Sequence, residues 1–293
     1  GIIISFIQKE METDEEIIER PADQNTITRR YAEEAVRFIK ANRERPFFLY
    51  LAHSMVHVPL FASKKFKDTS LRGLFGDTVE EVDWSVGQVL GTIRELGLSS
   101  KTLVIFTSDN GGTKRGVNAP LRGFKGSTWE GGMREPTIAW WPGKIEAGSV
   151  CDAVAGTTDV LPTFVSLAGG KPRDDVKIDG KDISPLLLGQ TTESPHEAWF
   201  YFQGRSLKAV RSGPWKLALH GQSLGMGIRN QPEDVKRSGR LYNLDEEIGE
   251  QTNVAAQHPD VVRRLQDLAD AMAADLGSGK PGPGVRPAGR VDH

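Results

Sequence analysis

The chain has 293 residues, of which 38% are apolar and 26% charged, with a formal net charge of -2. That length and balance suit one large folded domain, or one domain and a smaller one, and exclude a disordered segment. The near-neutral charge offers no basic field for nucleic acid or an anionic membrane, and no apolar run is long enough to span a bilayer.

The 32 glycines predict many tight loops. The single cysteine, Cys151, excludes an intrachain disulfide. Its neighbours Ser149, Val150, Asp152 and Ala153 include no His or basic residue, so it reads as a buried or half-buried structural thiol rather than a nucleophile.

Taken in chain order, the opening Gly1-Ile2-Ile3-Ile4-Ser5-Phe6-Ile7 is apolar but short. It lacks a basic n-region and a cleavage site, so it is not read as a signal peptide. A start at Gly rather than Met suggests a fragment or a processed product. Residues 1–25 show no clear period, and Glu10 to Glu19 is charge-rich.

Thr26 to Arg43 has helical spacing, with Thr26 or Thr28 as cap and Tyr31, Ala35, Val36, Phe38 and Ile39 on one face. Pro46 ends the pattern, and Phe47 to Ala52 reads as a buried strand. Asp77 to Leu96 is a second helix, with Val79, Val82, Val86, Val89, Leu90 and Ile93 as its apolar stripe and Gly97 as its stop.

Thr102 to Thr107 and Thr137 to Trp141 read as further strands, and Asp159 to Ala168 as a short amphipathic helix. Helices alternating with apolar strands predict an α/β parallel sheet. After Ser194-Pro195 come short runs at Ala198–Phe202, Leu207–Arg211, Trp215–Leu219 and Arg240–Leu244. They predict an antiparallel sheet. A helix from Pro259 to Leu276 follows, and then a Gly/Pro-rich tail from Gly277 expected to be mobile.

Three segments carry residues suited to chemistry. Ser108-Asp109-Asn110-Gly111-Gly112 follows the apolar strand ending at Thr107, and in open α/β sheets ligands bind beyond the carboxyl ends of strands. Asp109 and Asn110 offer two hard oxygen donors suited to Ca²⁺ or Mg²⁺. The competing reading is a plain turn, where these residue types are common.

The second segment, Pro120 to Pro136, alternates basic, hydroxyl and acidic residues with glycines. Lys125 beside a glycine can reach a tetrahedral oxyanion as a point charge, and Glu130 can pair with Arg134 to hold the loop. A solvated charged loop is the alternative. In the third segment, His57 lies past the strand at Phe47–Ala52 and before a proline, which holds it extended. Histidine is a natural proton donor near neutral pH, although a structural histidine is the competing reading for both His57 and His53.

Together these segments resemble the sulfatase family of the alkaline phosphatase superfamily. The resemblance rests on the order His-x-Pro, Ser-Asp-Asn-Gly, then Gly-x-Lys-Gly-x-x-x-Glu-Gly-Gly-x-Arg-Glu-Pro. Phe47-Phe48-Leu49-Tyr50, Trp141-Pro142-Gly143, Leu241-Tyr242-Asn243-Leu244-Asp245 and Glu250-Gln251-Thr252-Asn253 extend it from about Ile18 to Ala256.

The resemblance implies an α/β fold: an alkaline-phosphatase-like mixed sheet flanked by helices, present in part, with a smaller C-terminal antiparallel sheet packed by a helix. It divides the chain into 1–193, the C-terminal part of the catalytic domain, 194–276, a small α+β domain, and 277–293, a flexible tail. It also implies sulfuric ester hydrolysis on an aryl sulfate or a sulfated glycan, in a periplasmic, secreted or lysosomal setting. Asp109 and Asn110 match metal ligands, usually for Ca²⁺, with Mg²⁺ an alternative. Lys125 matches the lysine that contacts sulfate, and His57 the histidine that binds sulfate and protonates the leaving oxygen. Glu130 and Arg134 match a structural part of the motif.

One departure matters. The family's nucleophile is a formylglycine made in a Cys/Ser-x-Pro-x-Arg motif, and Cys151, followed by Asp-Ala-Val-Ala, does not fit it. The family's early Asp pair is absent too, since Asp174-Asp175 lies in a polar loop. The expectation is a chain without its nucleophile segment, inactive alone by the family mechanism. A phosphate or phosphonate ester hydrolase and a non-catalytic anion- or glycan-binding remnant stay open.

Overall fold

The computed structural model describes residues 11–13, 16–173, 175–277 and 282. The apolar start and all of the tail except Gly277 and Gly282 lie outside the described residues. The chain forms two compact units, Gly1–Leu103 and Val104–His293.

In the first unit, the described residues of the charge-rich stretch form an antiparallel pair, β1 (Met11–Thr13) and β2 (Glu16–Glu19). Helix α1 runs Ile27–Asn42. Its start is held not by a threonine side chain but one turn earlier. There the Asp23 carboxylate accepts the Asn25 N–H at 3.1 Å and opens a 3₁₀ turn at Gln24–Thr26. Ile27, Tyr31, Ala35 and Ile39 recur at four-residue spacing and are buried.

Phe47–Ala52 is not the expected buried strand. Only Tyr50 in it makes a strand bridge among the described residues. Phe47, Leu49 and Leu51 are half-buried while Phe48 and Tyr50 stand 58% and 61% exposed. The run therefore covers one face only, where Leu51 packs on Ala22, Ile27 and Tyr31.

Helix α2 runs Gly73–Glu95, and Gly97 stops it as expected, with the Leu98 N–H closing on the Ile93 carbonyl at 2.9 Å. Its buried face is polar rather than the expected valine stripe: Asp77, Glu81, Ser85 and Thr92 are buried with Ile93, while Val79 is 44% exposed. Each acid has work there. Asp77 accepts the N–H groups of Asp68, Thr69 and Ser70, and Glu81 accepts that of Ser63 at 2.8 Å. The helix thus folds the 63–70 loop onto itself by satisfying backbone donors.

In the second unit, β3 (Val104–Phe106) pairs with β4 (Ile138–Trp140), and the pairing is antiparallel rather than parallel. A parallel return needs a crossover helix over the sheet. Between these strands the chain makes only loops and the four-residue helix α3 (Glu130–Met133). Helices α4 (Val160–Leu167), where the amphipathic helix is expected, and α5 (Ser184–Leu187) follow.

The predicted C-terminal sheet forms from β5 (Trp199–Gln203), β6 (Ser206–Ser212), β7 (Trp215–Ala218) and β8 (Arg240–Asn243), in order β5-β6-β7-β8, all antiparallel. Alternation gives it two faces. Val210, Leu217 and Leu241 meet Leu265 and Ala269 of α6 (Pro259–Leu276). On the other face, Ala218 and Tyr242 pack on Trp129, and Tyr201 and Lys216 meet Glu130. The glycine-rich loop is therefore the second layer over this sheet. No helix among the described residues is long and apolar enough to cross a membrane, and Cys151, expected to be buried or half-buried, is exposed.

Candidate functional site

Asp109 and Asn110 lie just past β3, at the turn the sequence predicts. The turn is tied down through the glycines that follow. The Gly111 N–H donates to the Gly132 carbonyl at 3.0 Å, and the Gly112 carbonyl accepts the Lys125 N–H at 2.9 Å. A Cβ on Gly131 would collide with the carbonyl oxygens of Gly123 and Arg122, so glycine there permits three backbone segments to touch.

Asn118 locks the same three segments. Its Nδ2 donates to the carbonyls of Gly112 (2.9 Å), Gly123 (3.0 Å) and Gly131 (2.7 Å), one of its two hydrogens being shared. Asp109 is exposed and has no ion-pair partner among the described residues. Burial, and then the negative charge of Asp109, raise the carboxyl of nearby Glu135. Among the described residues, no three His, Cys, Asp or Glu side chains cluster as a metal site.

Lys125 occupies the tip of a turn closed by the Ser127 N–H to the Phe124 carbonyl at 3.0 Å. Gly126, at φ 83°, takes the third position, as a type II turn requires. Both backbone polar groups of Lys125 are bonded outward: its N–H to Gly112, and its carbonyl from the Met226 N–H at 2.8 Å. Its side chain has no hydrogen-bond or ion-pair partner among the described residues. Sequence-distant Asp109, Asn110 and Lys125 are thus brought onto one small backbone assembly.

Behind the turn lies a buried charge cluster. Lys216, fully buried, donates to the Thr128 carbonyl and to Glu130 Oε1, both at 2.8 Å. Glu250 Oε1 sits 2.8 Å from the same ammonium, as an ion pair without hydrogen-bond alignment. Glu130 also accepts Arg134 Nε at 2.6 Å, which is the pairing expected from sequence, and the Tyr201 hydroxyl at 2.9 Å. Burial pushes the Glu130 carboxyl up, but Lys216 and Arg134 outweigh it and hold the group down to about 2. Glu250 moves the other way, raised by burial and by Glu130 despite Lys216. Sequence reasoning gave no role to Asn118, Lys216 or Glu250.

His57 belongs to the first unit. It is exposed and lies in a bend rather than at a strand end. Val58, not His57, directly precedes Pro59. The His57 Nδ1 lies 2.7 Å from the Val58 carbonyl; a carbonyl can only accept, so Nδ1 carries a proton. His53 instead packs edge-on to Tyr31 and lies 3.4 Å from Ser85 Oγ, and burial lowers it to about 4.

Ser212-Gly213-Pro214-Trp215-Lys216 approaches a Ser-x-Pro-x-Arg pattern but ends in Lys. It forms the β6–β7 turn, with Ser212 Oγ accepting from Arg264 at 2.9 Å and Lys216 committed to Glu130.

Comparison with known proteins adds a second line. A family model described as sulfatase matches residues 6–170, and one described as the C-terminal region of aryl-sulfatase matches 194–282. N-acetylgalactosamine-6-sulfatase of Mus musculus is 44% identical over 211 residues, 69% of this chain and 40% of that protein. Human arylsulfatase A is 39% identical over 248 residues, 77% of this chain and 48% of that protein. The crystal structure of PsFucS1 sulfatase from Pseudoalteromonas sp. superposes with a TM-score of 0.79 at 26% identity, covering 88% of this chain and 55% of that one. The chain spans about half or less of the length of these relatives.

Proposed function

The chain belongs to the sulfatase family, and from that premise we propose that it is part of a sulfuric ester hydrolase, with Lys125 as a sulfate-contacting cation. The observation that carries the reading is the Gly112–Lys125 backbone bond of 2.9 Å, which seats an ammonium with no partner among the described residues on the same assembly as Asp109 and Asn110.

The donor set fits a hard divalent cation. Asp109 and Asn110 offer a carboxylate and an amide oxygen, and Asp109 is exposed with no ion-pair partner among the described residues. We assign these two residues to Ca²⁺, with Mg²⁺ as the alternative. Once bound, such an ion supplies positive charge to sulfate oxygens. Lys125 adds a fixed cation as charge develops on the ester.

For His57, the carbonyl-bonded Nδ1–H leaves Nε2 as the exchangeable site: as imidazolium the ring gives its Nε2 proton to a departing alcohol or phenol and is left as the neutral Nδ1–H tautomer. The formylglycine nucleophile is assigned to residues outside this chain. We place the family's domain boundary at 193/194. Substrates would be sulfate esters, either aryl sulfates or sulfated glycans, met in a periplasmic, secreted or lysosomal compartment.

The test uses the polypeptide that carries this chain with 4-nitrophenyl sulfate and 4-nitrophenyl phosphate, native and Lys125→Ala. Sulfate ester turnover that falls on substitution supports the reading; faster phosphate turnover, or no effect of Lys125, overturns it. On the chain itself, millimolar Ca²⁺ raises the melting temperature, and Asp109→Ala abolishes the rise. A native melting temperature indifferent to Ca²⁺ sinks the metal assignment.

A further inference from the structure

We propose that Lys216 and Glu250 are positioning residues for Lys125, so that the C-terminal sheet is the seat of the anion-contacting turn rather than an accessory to it. Apart from the Lys125 N–H, which goes to Gly112, and the bond that closes the turn, its legs are held from beyond residue 194. Phe124 donates its N–H to the Leu224 carbonyl at 2.9 Å, and Lys125 accepts from Met226 at 2.8 Å. The Gly126 carbonyl accepts Gln203 Nε2 of β5 at 2.8 Å, and Thr128 Oγ1 accepts Gln222 Nε2 at 2.8 Å.

The innermost grip is ionic. Lys216 of β7 takes the Thr128 carbonyl, and Glu250 Oε2 takes the Glu130 N–H at 2.7 Å. One lysine and one carboxylate thus fix two backbone groups, on either side of Trp129, only three and five residues beyond Lys125. Glu130, accepting Lys216 from the loop side, closes the ring.

Charge in this place calls for a reason other than stability. Losing one member of the cluster is costly because the others stay buried, but replacing all three ionised groups together by well-packed apolar residues would serve stability as well. What an apolar layer would not give is a single register. Loop 122–130 is rich in glycine and could slide on a greasy face. It cannot slide when a carbonyl and an N–H must each meet one buried charge. The Lys125 ammonium is then presented without mobility, as electrostatic stabilisation of a developing anion demands.

The functional weight of this inference rests on the sulfatase reading of Lys125; the clamp itself does not. The test is limited trypsin digestion of the chain under native conditions, following cleavage at Lys125–Gly126 and at a distant control, Lys144–Ile145. Lys216→Met should speed the first by about tenfold or more, the loss of a buried charge-assisted bond, and leave the control unchanged.

Glu250→Ala should do the same, whereas Glu250→Gln, which keeps an acceptor for the Glu130 N–H, should restore most of the protection. This pair carries the test if Lys216→Met does not fold. No rise at Lys125, or an equal rise at both sites, overturns the clamp, as does failure of Gln to rescue. In parallel, the ¹³C-methylated Lys125 resonance is titrated with inorganic sulfate. A native resonance that ignores sulfate, with the digestion result intact, refutes the sulfate role of Lys125 and leaves the clamp standing.

Discussion

Glu130→Gln separates the energetic role of the buried cluster from its shape. The substitution keeps the side-chain volume and removes the charge. Glu130 titrates at about 2 against an ordinary 4.5, which corresponds to about 3 kcal/mol of stability at neutral pH. Its folded-state value is depressed, so the contribution is full above pH 4.5 and is lost as pH falls towards 2.

Glu250 has the opposite sign: raised by burial and by Glu130, it subtracts stability at neutral pH and recovers it on protonation. The native pH profile therefore blends the two, and the difference between native and variant reports Glu130 together with the relief of its push on Glu250. Urea unfolding followed by tryptophan fluorescence at pH 7, 4.5 and 3.5 is the assay. The variant should be about 3 kcal/mol less stable at pH 7, with about 1 kcal/mol of that gap gone by pH 3.5. A gap that is constant with pH, or below about 1 kcal/mol at pH 7, would refute the argument that Lys216 and Arg134 outweigh the burial of this carboxylate.

Asn118→Ala removes an amide that serves three carbonyls, and should cost about 2–3 kcal/mol in urea unfolding. Gly112→Ala alone drives its new Cβ into Asn118 Oδ1, so the pair should be less than additive by about 1–2 kcal/mol in a double-mutant cycle; strict additivity would mean the loop relaxes freely. His53, lowered by burial to about 4 from 6.5, is stabilising in its neutral form. The first unit should lose up to about 3 kcal/mol as pH falls from 6.5 to 4. His53→Gln should flatten that slope, and an unchanged slope in chemical denaturation would count against burial as its source.

The C-terminal sheet and α6 were legible because their signals are local. β7 alternates Trp215, Lys216, Leu217 and Ala218, and α6 repeats apolar residues on one side with Leu265 and Ala269 at its centre. Each pattern is decided within one element and one period. The Asp109–Asn110 turn and the Lys125 loop were legible for a different reason: chemistry-bearing residues there sit among glycines in a long ordered motif. Their backbone contact through Gly112 was not, since nothing in the string says which glycine faces which.

What the sequence hid is what depends on a partner far along the chain. Phe47–Ala52 is apolar throughout yet covers one face only, because burial of the other face needs a neighbour that composition cannot supply. On α2 the valines drew the eye, but Asp77 and Glu81 are buried, since the 63–70 loop brings N–H groups that their carboxylates accept. Lys216 is the sharpest case. A lysine alternating with Trp215 and Leu217 reads as the wet side of a half-buried strand, and local spacing allows nothing else. It is buried because Glu130 lies 86 residues earlier, and Glu250 reaches 120 residues back to the Glu130 N–H. A lone charged residue on a strand face was therefore the informative position, and only the fold could reveal that its partners arrive from both directions along the chain.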